Sequence, residues 1–251
     1  MADLLSLALA GLDPAALIAL LLTSFAGSFI TVSLGIGGGA LLLAMMASLM
    51  PAAALIPVHG VVQLGSNLFR AGLMRRHIQW APLVWFAAGS LLGVGLGGMI
   101  AVALSPAWIQ IGVGGFVIWN VLMQAPKWLS KNAWLIGGIT SFLTMFFGAS
   151  GVFVANFTKS LQLERQAHVA THASLMSLQH MLKIFAFGLL GFAFGPWIFF
   201  IALMIGAGFL GTLAGRAILL RINDKAFKRA LDIVLVLISL RLIWNGVAGL
   251  I

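Results

Sequence analysis

The residues of this chain best suited to chemistry are basic and few. Its five histidines include His168, His172 and His180, spaced by four and eight, so that they share one face of a helix. His59 stands alone in an earlier apolar stretch. Imidazole titrates near pH ~6.5 and can contact an anion, relay a proton, or both. Two histidines at i and i+4 can also hold zinc, but that motif needs an intervening Glu and a third ligand. Val169, Ala170 and Thr171 separate His168 from His172, so no metal site is expected. The chain has no cysteine, which removes disulfides, thiolate ligands and cysteine nucleophiles. Lys183 and Arg241 fall within or beside apolar stretches and Arg70 near the end of one. Charge there is costly and is kept for function, for pairing or by snorkelling. Contact with an anion at the mouths of a pathway is the functional reading for Arg70, Lys183 and Arg241. Snorkelling and topology are the plain ones. Asn67, Ser150 and Thr171, with Thr31, Ser33, Gln63, Thr144, Asn156 and Gln179, can donate hydrogen bonds to an oxyanion or simply join helices. His168 is read as bonded to a loop at a helix end.

Something must position these groups, and glycine marks where. Gly35, Gly37, Gly38 and Gly39 surround Ile36 between two apolar segments. Each Gly costs a helix about 1 kcal/mol relative to Ala, so the helix should break. Inside a membrane such a break is tolerated only where protein or a wet cavity receives the freed backbone groups. The site reading therefore names Gly37, Gly38 and Gly39 as substrate contacts. Close helix packing through glycine is the alternative.

Composition sets the surroundings. Of 251 residues, 62% are hydrophobic and 8% charged, against about 25% charged in a soluble domain. Several apolar runs reach the roughly 20 residues that cross a bilayer. Alternating strand patterns are absent, so the fold class is an all-α polytopic membrane protein. Residues 1–12 lack the basic n-region of a signal peptide. The net charge of +9 sits in short junctions rather than on a basic surface, so nucleic acid is not an expected partner.

Ten segments are expected, at about 14–34, 39–49, 52–74, 80–104, 107–125, 133–147, 151–160, 165–191, 196–219 and 227–250. The second and seventh are too short to span. A shift of 113 places Ser28 on Ser141, Gly35 on Gly148, Gly38 on Gly151, His59 on His172 and Arg70 on Lys183. It also places Gly93, Gly95 and Gly98 on Gly206, Gly208 and Gly211. Residues 1–126 and 127–251 are thus read as two five-segment repeats of one membrane domain. Arg75, Arg76, Lys127, Lys131, Lys159, Arg165, Arg221, Lys225, Lys228 and Arg229 lie at alternate junctions, which places those junctions in the cytoplasm and both termini outside. An odd number of segments inverts the second repeat. Each repeat then carries a broken, re-entrant helix hairpin, with tips at 35–39 and at Gly148-Ala149-Ser150-Gly151. Paired broken helices in inverted repeats point to a transporter's binding site. Helix N-termini at both tips favour an anion. Ser150 and Gly151 at the second tip, with Thr171, His172 and His180 nearby, join the site. Trp80, Trp108, Trp128, Trp134 and Trp197 read as interfacial anchors.

These residues resemble the TauE/SafE family of sulfite and organosulfonate exporters. The shared features are the Gly35-Ile36-Gly37-Gly38-Gly39 hairpin, its reduced copy at 148–151, and the duplicated body. The Ala-rich start Pro51-Ala52-Ala53-Ala54 and the basic turn Arg75-Arg76-His77-Ile78 also fit. Val58-His59 stands where the family usually has Thr-Ser, and His172 replaces the second Ser. The resemblance implies transport, usually export, of sulfite, sulfoacetate or a related anion across the bacterial cytoplasmic membrane, without catalytic residues or cofactor. Proton coupling through histidine is one option. An anion channel is the alternative, followed by an intramembrane hydrolase using Ser150.

Overall fold

A computed structural model describes residues 7–34, 37–101, 105–123, 131–148, 150–218 and 224–251. Gly35, Ile36, Lys127, Trp128, Ala149 and Arg221 lie outside the described residues. No strand occurs among those described. The helices are α1 (Pro14–Leu34), α2 (Gly38–Leu49), α3 (Ala52–Leu73), α4 (Ala81–Ala101) and α5 (Pro106–Leu122), then α6 (Ala133–Phe147), α7 (Gly151–Ser160), α8 (Arg165–Leu189), α9 (Ile198–Ile218) and α10 (Asp224–Ala248). Every expected segment is a helix, with ends within three residues of those read from the sequence.

Among the described residues, five helices are long and apolar enough to cross a membrane: α1, α3, α4, α9 with its preceding turn, and α10. Helices α2 and α7, at 12 and 10 residues, rise only about 18 and 15 Å, roughly half of a hydrocarbon core. Helix α8 has 25 residues but carries the polar stripe His172, Ser174, Ser177, Gln179, His180 and Lys183, all buried. The outer helices do the reverse. Ile18, Leu22, Val84, Trp85, Met99, Leu210, Leu237 and Trp244 are exposed. Apolar outside and polar inside is the distribution a lipid solvent selects.

Helices α3 and α8 pack against each other, as do α5 and α10. Helix α1 lies along α9, and α6 along α4. Glycine permits the closest approaches. A β-carbon on Gly89 or Gly93 would strike the carbonyls of Trp134 or Gly138, and one on Gly211 the carbonyl of Phe25. Phe116 stacks on Phe147 and Phe153, ring centroids 5.0 and 5.8 Å away, and so ties α5, α6 and α7 together.

A single shift of 113 does not hold throughout. It relates the starts of α2 and α7 and of α3 and α8, whereas α4 and α9 start 117 apart and α5 and α10 start 118 apart. Gly211 meets Phe25 as Gly93 meets Gly138, so pairing Gly98 with Gly211 is out of register. The cause is the longer α8, 25 residues against 22 in α3, and a connection to α9 one residue longer than the connection from α3 to α4.

Candidate functional site

Both short helices begin after a glycine in a backbone conformation that side chains disfavour. Gly37, at φ 103°, precedes α2, and Gly148, at φ 67°, ends α6 while its N–H donates to Thr144 O. Neither α2 nor α7 has a side-chain N-cap hydrogen bond. First-turn N–H groups without such caps, with the helix dipole behind them, suit an anion.

A cavity of about 50 Å³ lies between the two breaks. One water needs only ~10–15 Å³, so the space admits a compact oxyanion or a few waters. Gly37 and Gly39 line it from the first break, Gly148 and Gly151 from the second. Asn67 and Arg70 of α3 and His172 and His180 of α8 complete the polar wall, together with Thr31 and Gln63.

Arg70 dominates its electrostatics. It is 4% exposed. Its Nη2 donates to Asn67 Oδ1 at 2.8 Å, and Asn67 Nδ2 donates in turn to Gln63 O at 2.8 Å. Asn67 thereby fixes the guanidinium, whose Nε and Nη1 have no partner. Both ring nitrogens of His180 are likewise buried and unpartnered, as is Lys183 Nζ. The acids whose side chains are described are Asp13, Glu164 and Asp232, and none of them lines the cavity. A buried charge without a counterion costs several kcal/mol. Such a wall is suited to bind an anion.

The two histidines related by 113 do the same job. His59 Nε2 donates to Gly39 O and His172 Nε2 to Gly151 O, each at 3.2 Å. Each holds the first turn of a short helix to the long helix that follows it. His172 also lines the cavity, whereas His59 and Lys183 sit behind the wall. The His168 ring stacks near His172, centroids 6.5 Å apart.

The other expected contacts fall elsewhere. Gly38 does not line the cavity; its α-carbon faces Gly27 of α1 so closely that a β-carbon would overlap that residue's carbonyl. Ser150 donates to Gln179 Oε1 at 2.7 Å, and Gln179 Nε2 reaches Thr140 and Ser141 at 2.8 and 3.1 Å. This buried network joins α6, α7 and α8. Thr171 Oγ1 accepts from the Gln79 N–H at 3.0 Å and so anchors the segment after the basic turn Arg75–His77. Arg241 is exposed on α10, and Arg70 lines the cavity. Met176, Val152 and Ala40 also line it. They are apolar and carry no chemical signal, although Met176 and Val152 stand 113 after Gln63 and Gly39.

The Ser150→Ala variant is expected to lose about 1–3 kcal/mol of stability, because Gln179 Oε1 is left buried and unpaired. Anion affinity should change by less than about threefold. Thermal unfolding and anion binding of the purified variant check both.

No curated protein and no solved structure matched the chain. The family profile Sulfite exporter TauE/SafE matches residues 19–242. A match of that extent, with the paired glycine breaks and apolar helices described above, makes the chain a multi-pass membrane protein of the TauE/SafE sulfite exporter family.

Proposed function

We propose that the protein is a secondary transporter that moves a small sulfur-containing anion, such as sulfite or sulfoacetate, out of a bacterial cell by alternating access. The observation that carries this reading is the cavity between the two glycine breaks, with Arg70 Nε and Nη1 unpartnered in its wall and no carboxylate among the described residues that line it. In it the anion lies between the first turns of α2 and α7. The Arg70 guanidinium faces its oxygens, and His172 and His180 complete the contact. A guanidinium fork suits oxyanions better than chloride. Gly37, Gly39 and Gly151 let the backbone come close to the bound anion.

Residues 1–126 and 127–251 act as two inverted repeats. The reciprocal packing of α1 on α9 and α6 on α4, and the twin His59–Gly39 and His172–Gly151 bonds, support that reading. Rocking of one repeat against the other alternates access. The protein sits in the cytoplasmic membrane with both termini outside, following its basic junctions. The membrane potential favours anion exit by about 2.3 kcal/mol per charge per 100 mV, so the chain needs no internal acid relay for export.

Flux into liposomes containing the purified protein tests the proposal. Saturable movement of sulfite or sulfoacetate, with little movement of chloride, is expected. The absence of flux of any sulfur anion would remove the reading, and currents far above carrier turnover would make the protein a channel.

A further inference from the structure

Arg70 is not the only buried cation near the breaks. Lys183 is fully buried on α8, and its Nζ has no partner. Its side chain runs against Gly60, where a β-carbon would lie 2.7 Å from Lys183 Cε and 3.5 Å from Nζ. Gly60 follows His59, whose Nδ1 is also buried and unpartnered. The His59 and His180 rings meet edge to face with centroids 6.1 Å apart. His180 lines the cavity, whereas His59 and Lys183 do not. His180 therefore stands between the cavity and a second group of donors. Lys183, His59, Arg70 and His172 act electrostatically on His180, and no carboxylate among the described residues lines the cavity beside it.

The two groups are built alike. The first comprises Arg70 of α3 and His172 of α8, and His172 holds Gly151 at the start of α7. The second comprises Lys183 of α8 and His59 of α3, and His59 holds Gly39 at the start of α2. Arg70 and Lys183 are 113 apart, as are His59 and His172, and so are Asn67 and His180 between them. Each group joins a cation from one half of the chain to a histidine from the other. One borders the cavity and the other is closed.

We propose that Lys183, His59 and His180 form a second oxyanion station, closed in this structure, to which the anion held at Arg70 and His172 passes during transport. The proposal rests on the transporter reading above. It gives the buried ammonium a counterion for part of each cycle. It also gives the pathway a direction of loosening, because the guanidinium fork holds an oxyanion in two places and the compact ammonium in one.

Sulfite is the probe. Binding is measured on the full purified chain and flux in liposomes, for the wild type, Lys183→Met, Lys183→Arg and Arg70→Met. Removing an unpaired buried charge does not penalise folding, so Lys183→Met should remain folded. It is expected to bind sulfite within about threefold of wild type while its flux falls at least about 30-fold. Lys183→Arg should recover part of the flux, and Arg70→Met should lose binding and flux together. Wild-type flux in Lys183→Met would overturn the second station. So would a loss of binding equal to that of Arg70→Met, which would make the two cations one site. A wild-type chain that neither binds nor moves sulfite would instead remove the transporter reading, and the station with it.

Discussion

Replacing Arg70 by Met is expected to lower sulfite flux at least about 30-fold, with most of the loss in apparent affinity. The guanidinium is buried and already fixed by Asn67, so little ordering remains when an anion arrives. Its Nε and Nη1 have no protein acceptor, and a charge-assisted bond to an oxyanion would satisfy a donor that is otherwise buried and unpaired. Arg70→Lys should restore little, because an ammonium cannot keep the Asn67 bond and still present a fork to the anion. Arg241→Met is the control. That side chain is exposed on α10, and its loss should change flux by less than about threefold. Equal losses in the Arg70 and Arg241 variants would move the site away from the cavity.

Gly38→Ala is expected to cost about 3 kcal/mol or more and to abolish most of the monodisperse protein. Its new methyl group would overlap the carbonyl of Gly27 and crowd Thr31 Oγ1. The obstacle is backbone, which cannot swing aside as a flexible side chain would. The start of α2 would have to leave α1, and the cavity wall at Gly37 and Gly39 would move with it. Gly95→Ala shows the difference that surroundings make. No atom lies within 4 Å of a β-carbon there, so the helix gains about 0.5–1 kcal/mol from the better helix former. Thermal unfolding in detergent compares the two variants. Equal stability would mean that α1 and α2 are not in contact at Gly27 and Gly38.

The helices were legible because their ends are marked by glycine, proline or charge, while their interiors are apolar. The likeness of His59 and His172 was legible as well, since a shift of 113 aligns them and the structure gives both the same bond. That shift fails after α8, because α8 is three residues longer than α3 and extra helical length changes register without changing the pattern of apolar residues. Side-chain direction was not legible. The Ser150 hydroxyl goes to Gln179, 29 residues away, and Thr171 serves the Gln79 N–H, 92 residues away. Both choices are made by helix packing. Nor does position along α3 tell that Arg70 lines the cavity. The cavity between the breaks reaches that end of the helix. Gly38 shares a run with Gly37 and Gly39, and the run alone does not tell that its α-carbon faces α1.

Anomalous diffraction from crystals soaked in selenite, the heavier analogue of sulfite, would locate the anion. One selenium peak is expected between Gly39 and Gly151, within hydrogen-bonding reach of Arg70. Selenium only at the exposed basic turn of Arg75 and Arg76, with none between the breaks, would contradict an anion site in the cavity.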